Sequence, residues 1–247
     1  MSVVTIALVP AGLGFGLCAG SFVATAAVRA ARDEPFLTGR SHCDGCMHEL
    51  GFLATIPVVS YVGRRGSCPE CGARISPLHP LGELLGAALV VGILLVTPSI
   101  SAMFEIPLGF CLMASAFIDA QTFRLPDKLT IAVACICIVL GALRSWHVLG
   151  VGLIWACASF LALEALRRMY RSWRGTEGLG FGDIKLLSAM AIWLGPAVPY
   201  ALALAALVGL AVAVLLRRQR IPFGPALAAA GFLVGCLGIT PPWPLMA

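Results

Sequence analysis

Two aspartates lie where long apolar segments meet polar sequence. Asp119 ends the apolar run 110–118, and Asp183 directly follows the glycine-rich stretch 178–182 and precedes another apolar segment. A carboxylate at membrane depth costs about 2.5 to 3.5 kcal/mol even on insertion scales, so it usually faces a cavity or a partner and marks chemistry. Two such residues predict a facing pair that shares one proton, in which the charged member activates water and the protonated member polarises a carbonyl.

Glycines alternate before the second aspartate. Gly180 and Gly182 leave a backbone without side-chain walls, which an extended peptide could approach closely, so we expect both to contact a substrate beside Asp183. Either aspartate alone could instead cap or solvate a helix end. Asp127 follows Pro126 at a predicted helix start, and that position favours a cap over a catalyst.

Four cysteines form a second candidate site. They occur as two pairs, Cys43-Asp-Gly-Cys46 and Cys68-Pro-Glu-Cys71, separated by 21 residues. This is close to the spacing of paired zinc knuckles, and Gly45 and Gly72 allow the tight turns that such knuckles need. The alternatives are a disulfide pair, which a reducing compartment disfavours, or unrelated thiols. His42 and His48 flank the first pair and could replace a thiolate, but solvated loop residues explain them better.

Composition predicts the setting of both sites. Of the 247 residues, 60% are apolar and only 12% are charged, which is typical of polytopic membrane proteins. A spanning helix needs roughly 20 mostly apolar residues, so we predict an all-α membrane protein with about eight transmembrane helices. They lie near 3–28, 80–97, 102–119, 129–143, 147–166, 184–195, 197–216 and 224–240. Pro196 and Pro199 leave open that the sixth and seventh form one broken element.

The predicted helices divide the chain into three parts. Residues 1–29 form the first transmembrane helix, 30–79 the polar four-cysteine region, and 80–247 a polytopic helical domain with both aspartates. With eight crossings, all of the 17 basic residues except Arg144 fall on one side, as the positive-inside rule requires. That side, which holds both aspartates, is predicted to be cytoplasmic and the N-terminus to be outside. The first helix lacks a basic start, which favours a retained anchor over a signal peptide.

Net charge and motifs bear on the partners. Insertion topology explains the net charge of +5, so we predict membrane lipid and no nucleic acid as partners. A transporter that uses the acids as a proton relay is one alternative, but the sequence shows neither an internal repeat nor acids near the bilayer midplane. A zinc-bearing scaffold protein is another alternative, and it would tolerate loss of both aspartates.

The motifs taken in order resemble those of the type IV prepilin peptidases, membrane aspartic proteases of the Gly-x-Gly-Asp type. Gly180-Phe-Gly-Asp183-Ile-Lys-Leu-Leu187 is similar to the second catalytic motif, and Asp119 with Leu125-Pro126-Asp127 is similar to the first. The resemblance covers nearly the whole chain. Its other landmarks are Gly20-Ser21-Phe22 with Arg29, the four-cysteine loop, Ile56-Pro57 before Ser60-Tyr61, His79-Pro-Leu-Gly-Glu83-Leu and Ile221-Pro-Phe-Gly-Pro225.

The resemblance implies an enzyme of the bacterial inner membrane with two activities. Asp119 and Asp183 would catalyse removal of the leader peptide from prepilins of type IV pili or pseudopilins of type II secretion, at the cytoplasmic face. The second activity would methylate the new N-terminus with S-adenosylmethionine, and the four-cysteine loop would hold structural Zn²⁺. Glu83 could recognise a substrate amine, or it could be a solvated acid at a helix end.

The chain departs from the family pattern in the half that the resemblance links to methylation. Ala24 stands where the family usually has Asn, and Ala54-Thr55 stand where it has an acid followed by Asn. Leu78-His79 replace the usual Arg-Tyr before Pro80. A peptidase without methyltransferase activity is therefore the alternative within the same family.

Overall fold

The computed structural model describes residues 3–34, 42–43, 45–51, 55–96, 99–217 and 220–239. Within these ranges the chain is helical, and its β-structure is limited to two isolated bridges, His42 with Glu49 and Ser67 with Arg74. Arg40, Ala54 and Arg218 lie outside the described residues, as do the predicted helix ends at 97 and 240.

Nine α-helices run through the described residues. They are α1 (Val3–Ala31), α2 (Val59–Gly63), α3 (Leu78–Val96), α4 (Ala102–Thr122), α5 (Asp127–Arg144), α6 (Trp146–Arg174), α7 (Phe181–Leu194), α8 (Val198–Leu216) and α9 (Gly224–Cys236). Each of the eight predicted apolar segments corresponds to one helix, whereas the five-residue α2 was not predicted. α6 continues eight residues past its predicted end at 166, so the basic cluster after that residue is helical.

Five segments of the described chain are long and apolar enough to cross a membrane. They are Leu8–Ala31, Leu78–Val96, Ala102–Thr122, Trp146–Arg174 and Phe181–Leu216. The last segment contains both α7 and α8, which a 3₁₀ turn at Gly195–Ala197 separates. α9 is apolar but shorter, and α5 carries charged residues at both ends of its 18 residues. The chain is therefore a helical membrane protein, and the count of eight crossings stays a prediction.

Two compact units make up the chain, Met1–Pro98 and Ser99–Ala247. In the first unit α1 packs against α3 through glycines spaced four residues apart on both helices. A Cβ added at Gly20 would lie 2.1 Å from the carbonyl oxygen of Gly82, and one added at Gly86 would lie 2.3 Å from that of Gly16. Lipid supplies no hydrophobic drive for helix association, so close backbone approach at small residues supplies the packing.

The core of the second unit surrounds α7. Nine of its 14 residues are buried, from Ile184 to Leu194, and α5, α6 and α9 all pack against it. A helix that is apolar on every side belongs in the centre of a helical domain. Because side chains in such a core are close-packed, α7 is held rigidly from Ile184 onwards, directly after Asp183.

We predict that Gly20→Ala destabilises the protein strongly. The new methyl group would collide with backbone atoms that cannot rotate away, and overpacking of this kind costs about 1–3 kcal/mol or more. The check is the thermal unfolding midpoint of the purified protein in detergent. Gly14→Ala, on the same helix with no atom within 4 Å of the added carbon, is the control and should leave the midpoint unchanged or higher. Equal midpoints would contradict the packing at α1 and α3.

Candidate active site and metal centre

Asp119 lies in the last turn of α4, and its side chain is only 6% exposed. Its Oδ2 atom accepts a hydrogen bond of 2.9 Å from the backbone N–H of Gly224, the first residue of α9. The first N–H groups of a helix have no partner within that helix, and the helix dipole favours an anion beside them. Asp119 therefore caps α9 from a different helix, across 105 residues of sequence.

Asp183 is the third residue of α7, after Gly180 as its N-cap. Its side chain folds back towards the start of the helix, since a Cβ added at Gly180 would lie 2.8 Å from Asp183 Oδ2. The other oxygen, Oδ1, is buried and has no hydrogen-bond partner among the described residues. Leaving such an atom unsatisfied costs about 1–3 kcal/mol, and structures usually satisfy it with water or a ligand.

The structure brings the two aspartates together. The motifs that carry them are in contact, and the two carboxyl groups lie within electrostatic range of each other. Two contacts join the motifs, because Gly182 packs against Leu125 and Lys185 forms an ion pair with Asp127.

The structure gives packing reasons for glycine at the two positions beside Asp183. A Cβ added at Gly182 would lie 3.0 Å from Leu125 Cβ, and one added at Gly180 would meet the Asp183 carboxylate. The fit between the two motifs therefore leaves little room for a side chain at Gly182, whereas a side chain at Gly180 would press on the carboxylate of its own motif. Their contact with an extended substrate stays a prediction.

The role predicted for Asp127 is only partly correct. It begins α5, but the N-cap is Pro126 and no side chain makes a capping hydrogen bond there. The carboxylate instead pairs with Lys185 of α7, and its side chain is 69% exposed. Asp127 thus links α5 to α7 at the surface.

Sequence reasoning assigned no role to Gly224, although it noted the motif 221–225. A Cβ added at this position would lie 2.7 Å from Asp119 Oδ2 and 2.9 Å from its Cγ. Only glycine allows the helix start to approach the carboxylate this closely. The Gly-Pro pair that opens α9 was the available signal, but the sequence does not show which residue it faces.

The four cysteines converge in the first unit. The Sγ atoms of Cys43, Cys46, Cys68 and Cys71 all lie within 4.8 Å of one another and could hold a metal ion. The Sγ atoms of Cys43 and Cys71 are 3.7 Å apart. Tetrahedral Zn²⁺ with Zn–S bonds of about 2.3 Å requires S···S distances of about 3.8 Å. His48 is exposed, as expected of a solvated loop residue.

The two knuckles have the same backbone hydrogen bonds. The N–H of Cys43 donates to His48 O and that of Cys68 donates to Ala73 O, both at 2.9 Å. The left-handed residue of the second knuckle is Gly72, as predicted, whereas that of the first is Met47 with φ 59° rather than Gly45. Gly45 is needed for space instead, since an added Cβ would lie 2.7 Å from Ala73 Cβ of the other knuckle.

Two thiols of the four-cysteine cluster have pKa values that are shifted in opposite directions. Hydrogen bonds from the backbone of Gly45 and Cys46 lower the pKa of Cys43 to about 7. The backbone N–H of Ala73 also lowers the pKa of Cys71, but the neighbouring thiols and burial outweigh it and raise this pKa to about 12. Four adjacent thiols cannot all ionise without a cation, and a bound divalent metal would remove this conflict.

An open cavity of about 410 Å³ lies beside the cysteines in the first unit. Glu83 of α3 borders it and is only 6% exposed, so the interpretation as a solvated acid is wrong. Its Oε1 accepts from the Ser21 hydroxyl at 2.7 Å, and its Oε2 accepts from the backbone N–H of Val58 at 2.6 Å. Recognition of a substrate amine by Glu83 stays a prediction.

The sequence of the chain matches known protein families over most of its length. Residues 15–97 match the family described as Bacterial Peptidase A24 N-terminal domain, and residues 106–214 match the Type IV leader peptidase family. A prepilin leader peptidase/N-methyltransferase of Aeromonas hydrophila is 37% identical over 213 residues, covering 81% of this chain and 73% of the relative. The chain belongs to the type IV leader peptidase family.

More distant members are also similar. The prepilin leader peptidase/N-methyltransferase of Neisseria gonorrhoeae is 32% identical over 200 residues, covering 78% of this chain and 70% of that protein. No solved structure matches the chain. The two family matches of this chain each contain one candidate site. The four cysteines lie in the first matched region and both aspartates lie in the second.

We predict that purified protein carries about one equivalent of zinc and that Cys43→Ser lowers it towards zero, because the four ligands act together. Metal content by mass spectrometry, in preparations made without chelators, is the measurement. Cys157→Ser, at an exposed position of α6, should keep the metal. Wild-type protein with less than about half an equivalent would count against the zinc site.

Proposed function

We propose that the chain is an aspartic endopeptidase of the bacterial inner membrane. It removes the leader peptide from type IV prepilins or pseudopilins at the cytoplasmic face and then methylates the new N-terminus with S-adenosylmethionine. The observation that carries the proposal is the convergence of Asp119 and Asp183, from α4 and α7, in a chain whose relatives are named prepilin leader peptidase/N-methyltransferase.

The aspartate pair suits general acid and base catalysis of peptide hydrolysis. The charged carboxylate takes a proton from water while the water oxygen bonds to the scissile carbonyl carbon, and the protonated carboxyl donates to the carbonyl oxygen. The C–N bond then breaks as the leaving amine takes the proton that the first carboxylate received from water. The second carboxylate recovers a proton from a hydroxyl group of the tetrahedral intermediate, so the pair again holds one proton. The buried Oδ1 atom of Asp183 has no partner among the described residues, and it is a suitable place for the attacking water.

The two catalytic aspartates are both held at the N-terminal ends of helices. Asp119 accepts from the first N–H of α9 and Asp183 lies in the first turn of α7, and both locations favour negative charge. The ion pair of Asp127 with Lys185 fixes the loop after Asp119 against α7. We infer that the backbone at Gly180 and Gly182 contacts an extended peptide substrate beside Asp183.

The proposal also includes the membrane side of the active site and a structural zinc ion. The basic residues of the sequence support a cytoplasmic active site and an N-terminus outside, through the positive-inside rule. The four cysteines supply a complete tetrahedral set, which is the pattern of a structural zinc site rather than a catalytic one. Bound zinc would hold the two knuckles together, and the peptidase mechanism involves no step at the metal.

A peptidase without methyltransferase activity is the second candidate. Its basis is the departure from the family pattern at Ala24, Thr55 and His79 among the described residues. Ala24 is fully buried and does not border the cavity of the first unit, whereas Thr55 and His79 do. Mass spectrometry of a prepilin after co-expression separates the two candidates, because leader removal and methyl addition change the mass independently.

Replacing either catalytic aspartate tests the peptidase. Asp119→Asn and Asp183→Asn should each lower leader cleavage by at least about 10³-fold, and the double variant should be little worse, because the pair acts as one unit. Cleavage is measured in membranes with matched protein levels. Asp127→Asn, which weakens the supporting ion pair with Lys185 but leaves both carboxylates of the catalytic pair, should lose less than about tenfold. Substantial cleavage by Asp119→Asn or Asp183→Asn would refute the pair.

Gly224→Ala tests the support of Asp119. The added methyl group would push the carboxylate away from the α9 start, and a displacement of about 1 Å can cost on the order of 10²-fold in rate. The expected result is a fall in the cleavage rate with unchanged expression. Gly150→Ala on α6, with no atom within 4 Å of the added carbon, is the matched control. Similar rates for both variants would show that the Asp119 contact is dispensable.

A further inference from the structure

We propose that Arg167 of α6 is a positioning residue for Asp183 and acts through Phe181, and this assignment rests on the proposed peptidase activity. Phe181 is the first residue of α7 and lies two positions before Asp183. Its side chain is 41% exposed, and the preceding residues 175–178 are also exposed. The core holds α7 only from Ile184 onwards, so the start of the helix needs support from outside the core.

Three side chains surround the Phe181 ring. The Arg167 Cζ atom lies 5.0 Å from the ring centroid and the Lys185 Nζ atom lies 5.1 Å from it. Phe160 of α6 meets the ring edge to face, with centroids 6.2 Å apart and an interplanar angle of 67°. Cations over a ring face and edge-to-face aromatic pairs are both favourable. The ring is therefore fixed by α6 and α7 although it is partly exposed.

Glu164 holds the guanidinium of Arg167 in place. Arg167 donates from Nε to Glu164 Oε2 at 2.8 Å and from Nη2 to Oε1 at 3.1 Å. Paired bonds of this kind fix the plane of the guanidinium. Glu164 is 7% exposed and lies in the long apolar segment Trp146–Arg174, where an ionisable residue usually pairs and marks function. The pair presents a rigid cation to Phe181.

The same end of α6 also holds the connection that precedes Asp183. Arg167 and Arg171, one helical turn apart, donate to Glu177 Oε1 at 3.5 Å and 3.2 Å. Gly178 lies against Tyr170, since a Cβ added there would lie 2.8 Å from Tyr170 Cδ1. Exposed ion pairs contribute little on their own, but this connection has no buried side chain to hold it at 175–178. α6 therefore supports the connection as well as the start of α7.

Asp183 lies between the supported Phe181 and the buried Ile184. A shift of the helix start would carry the Asp183 carboxylate with it, and a displacement of about 1 Å can cost on the order of 10²-fold in rate. Loss of Arg167 should therefore lower kcat and leave KM nearly unchanged. If Phe181 instead contacted the substrate directly, its loss would raise KM with kcat unchanged.

Two pairs of variants test the assignment in the full-length protein in nanodiscs, with kcat and KM of prepilin cleavage as the measurements. Arg167→Met removes the guanidinium and keeps an apolar stem. Arg168→Met is its matched control, because Arg168 donates to the same carboxylate at 2.7 Å but is 78% exposed and is not among the described side chains around Phe181. Phe181→Leu removes the ring, whereas Phe181→Tyr keeps it.

We expect Arg167→Met and Phe181→Leu each to lower kcat at least about tenfold, with KM within about threefold of wild type. The double variant should lose no more than about threefold beyond the worse single, because both changes remove one contact. Phe181→Tyr and Arg168→Met should stay within about threefold of wild type in kcat. The thermal unfolding midpoint identifies a variant that fails to fold, and Phe181→Leu, at a partly exposed position, carries the test if Arg167→Met does so.

Three results would overturn the assignment. They are a kcat for Arg167→Met equal to that of Arg168→Met, a raised KM with unchanged kcat for Phe181→Leu, and a loss in the double variant equal to the product of the single losses. In each case cleavage by wild type leaves the proposed peptidase intact. If wild type cleaves no prepilin, the proposed function and the role of Arg167 fail together.

Discussion

The hydrogen bond from Gly224 N–H to the Asp119 carboxylate is the contact on which the candidate active site depends. It holds the start of α9 against the last turn of α4, and α9 in turn packs on α7, which carries Asp183. A buried carboxylate needs hydrogen-bond donors to offset its desolvation. The unpaired N–H at a helix start supplies one, together with a favourable dipole. One contact therefore satisfies a helix end and fixes a carboxylate.

The position of Asp183 has a different physical origin. Nine of the 14 residues of α7 are buried, and packing against α5, α6 and α9 leaves the helix little freedom to move. In this rigid setting the Oδ1 atom of Asp183 has no hydrogen-bond partner among the described residues. Unsatisfied buried groups persist where the surrounding packing over-determines them, and they concentrate at functional sites. A rigid core and a reactive first turn are thus parts of one arrangement.

Local patterns in the sequence were sufficient to predict several features. The apolar runs predicted the eight long helices, and the spacing of Cys43, Cys46, Cys68 and Cys71 predicted their cluster. Contacts between distant residues were not predictable, because a single sequence does not pair Gly224 with Asp119 or Glu83 with Val58. The left-handed conformation of Met47 was missed for a related reason: the hydrogen bonds of the knuckle impose it against the preference of the residue.

Glycine solves the same problem in three places. At Gly20 it lets α1 and α3 approach until backbone touches backbone, at Gly45 it lets one knuckle approach the other, and at Gly224 it lets a helix start reach a carboxylate. In lipid, apolar side chains pack equally well against one another and against acyl chains, so close backbone contacts such as that at Gly20 determine much of the specificity of helix packing. Each also orients polar groups that the chemistry needs, namely Glu83 with Ser21, the four thiols, and Asp119. The sites of both units therefore depend on backbone proximity that any larger residue would prevent.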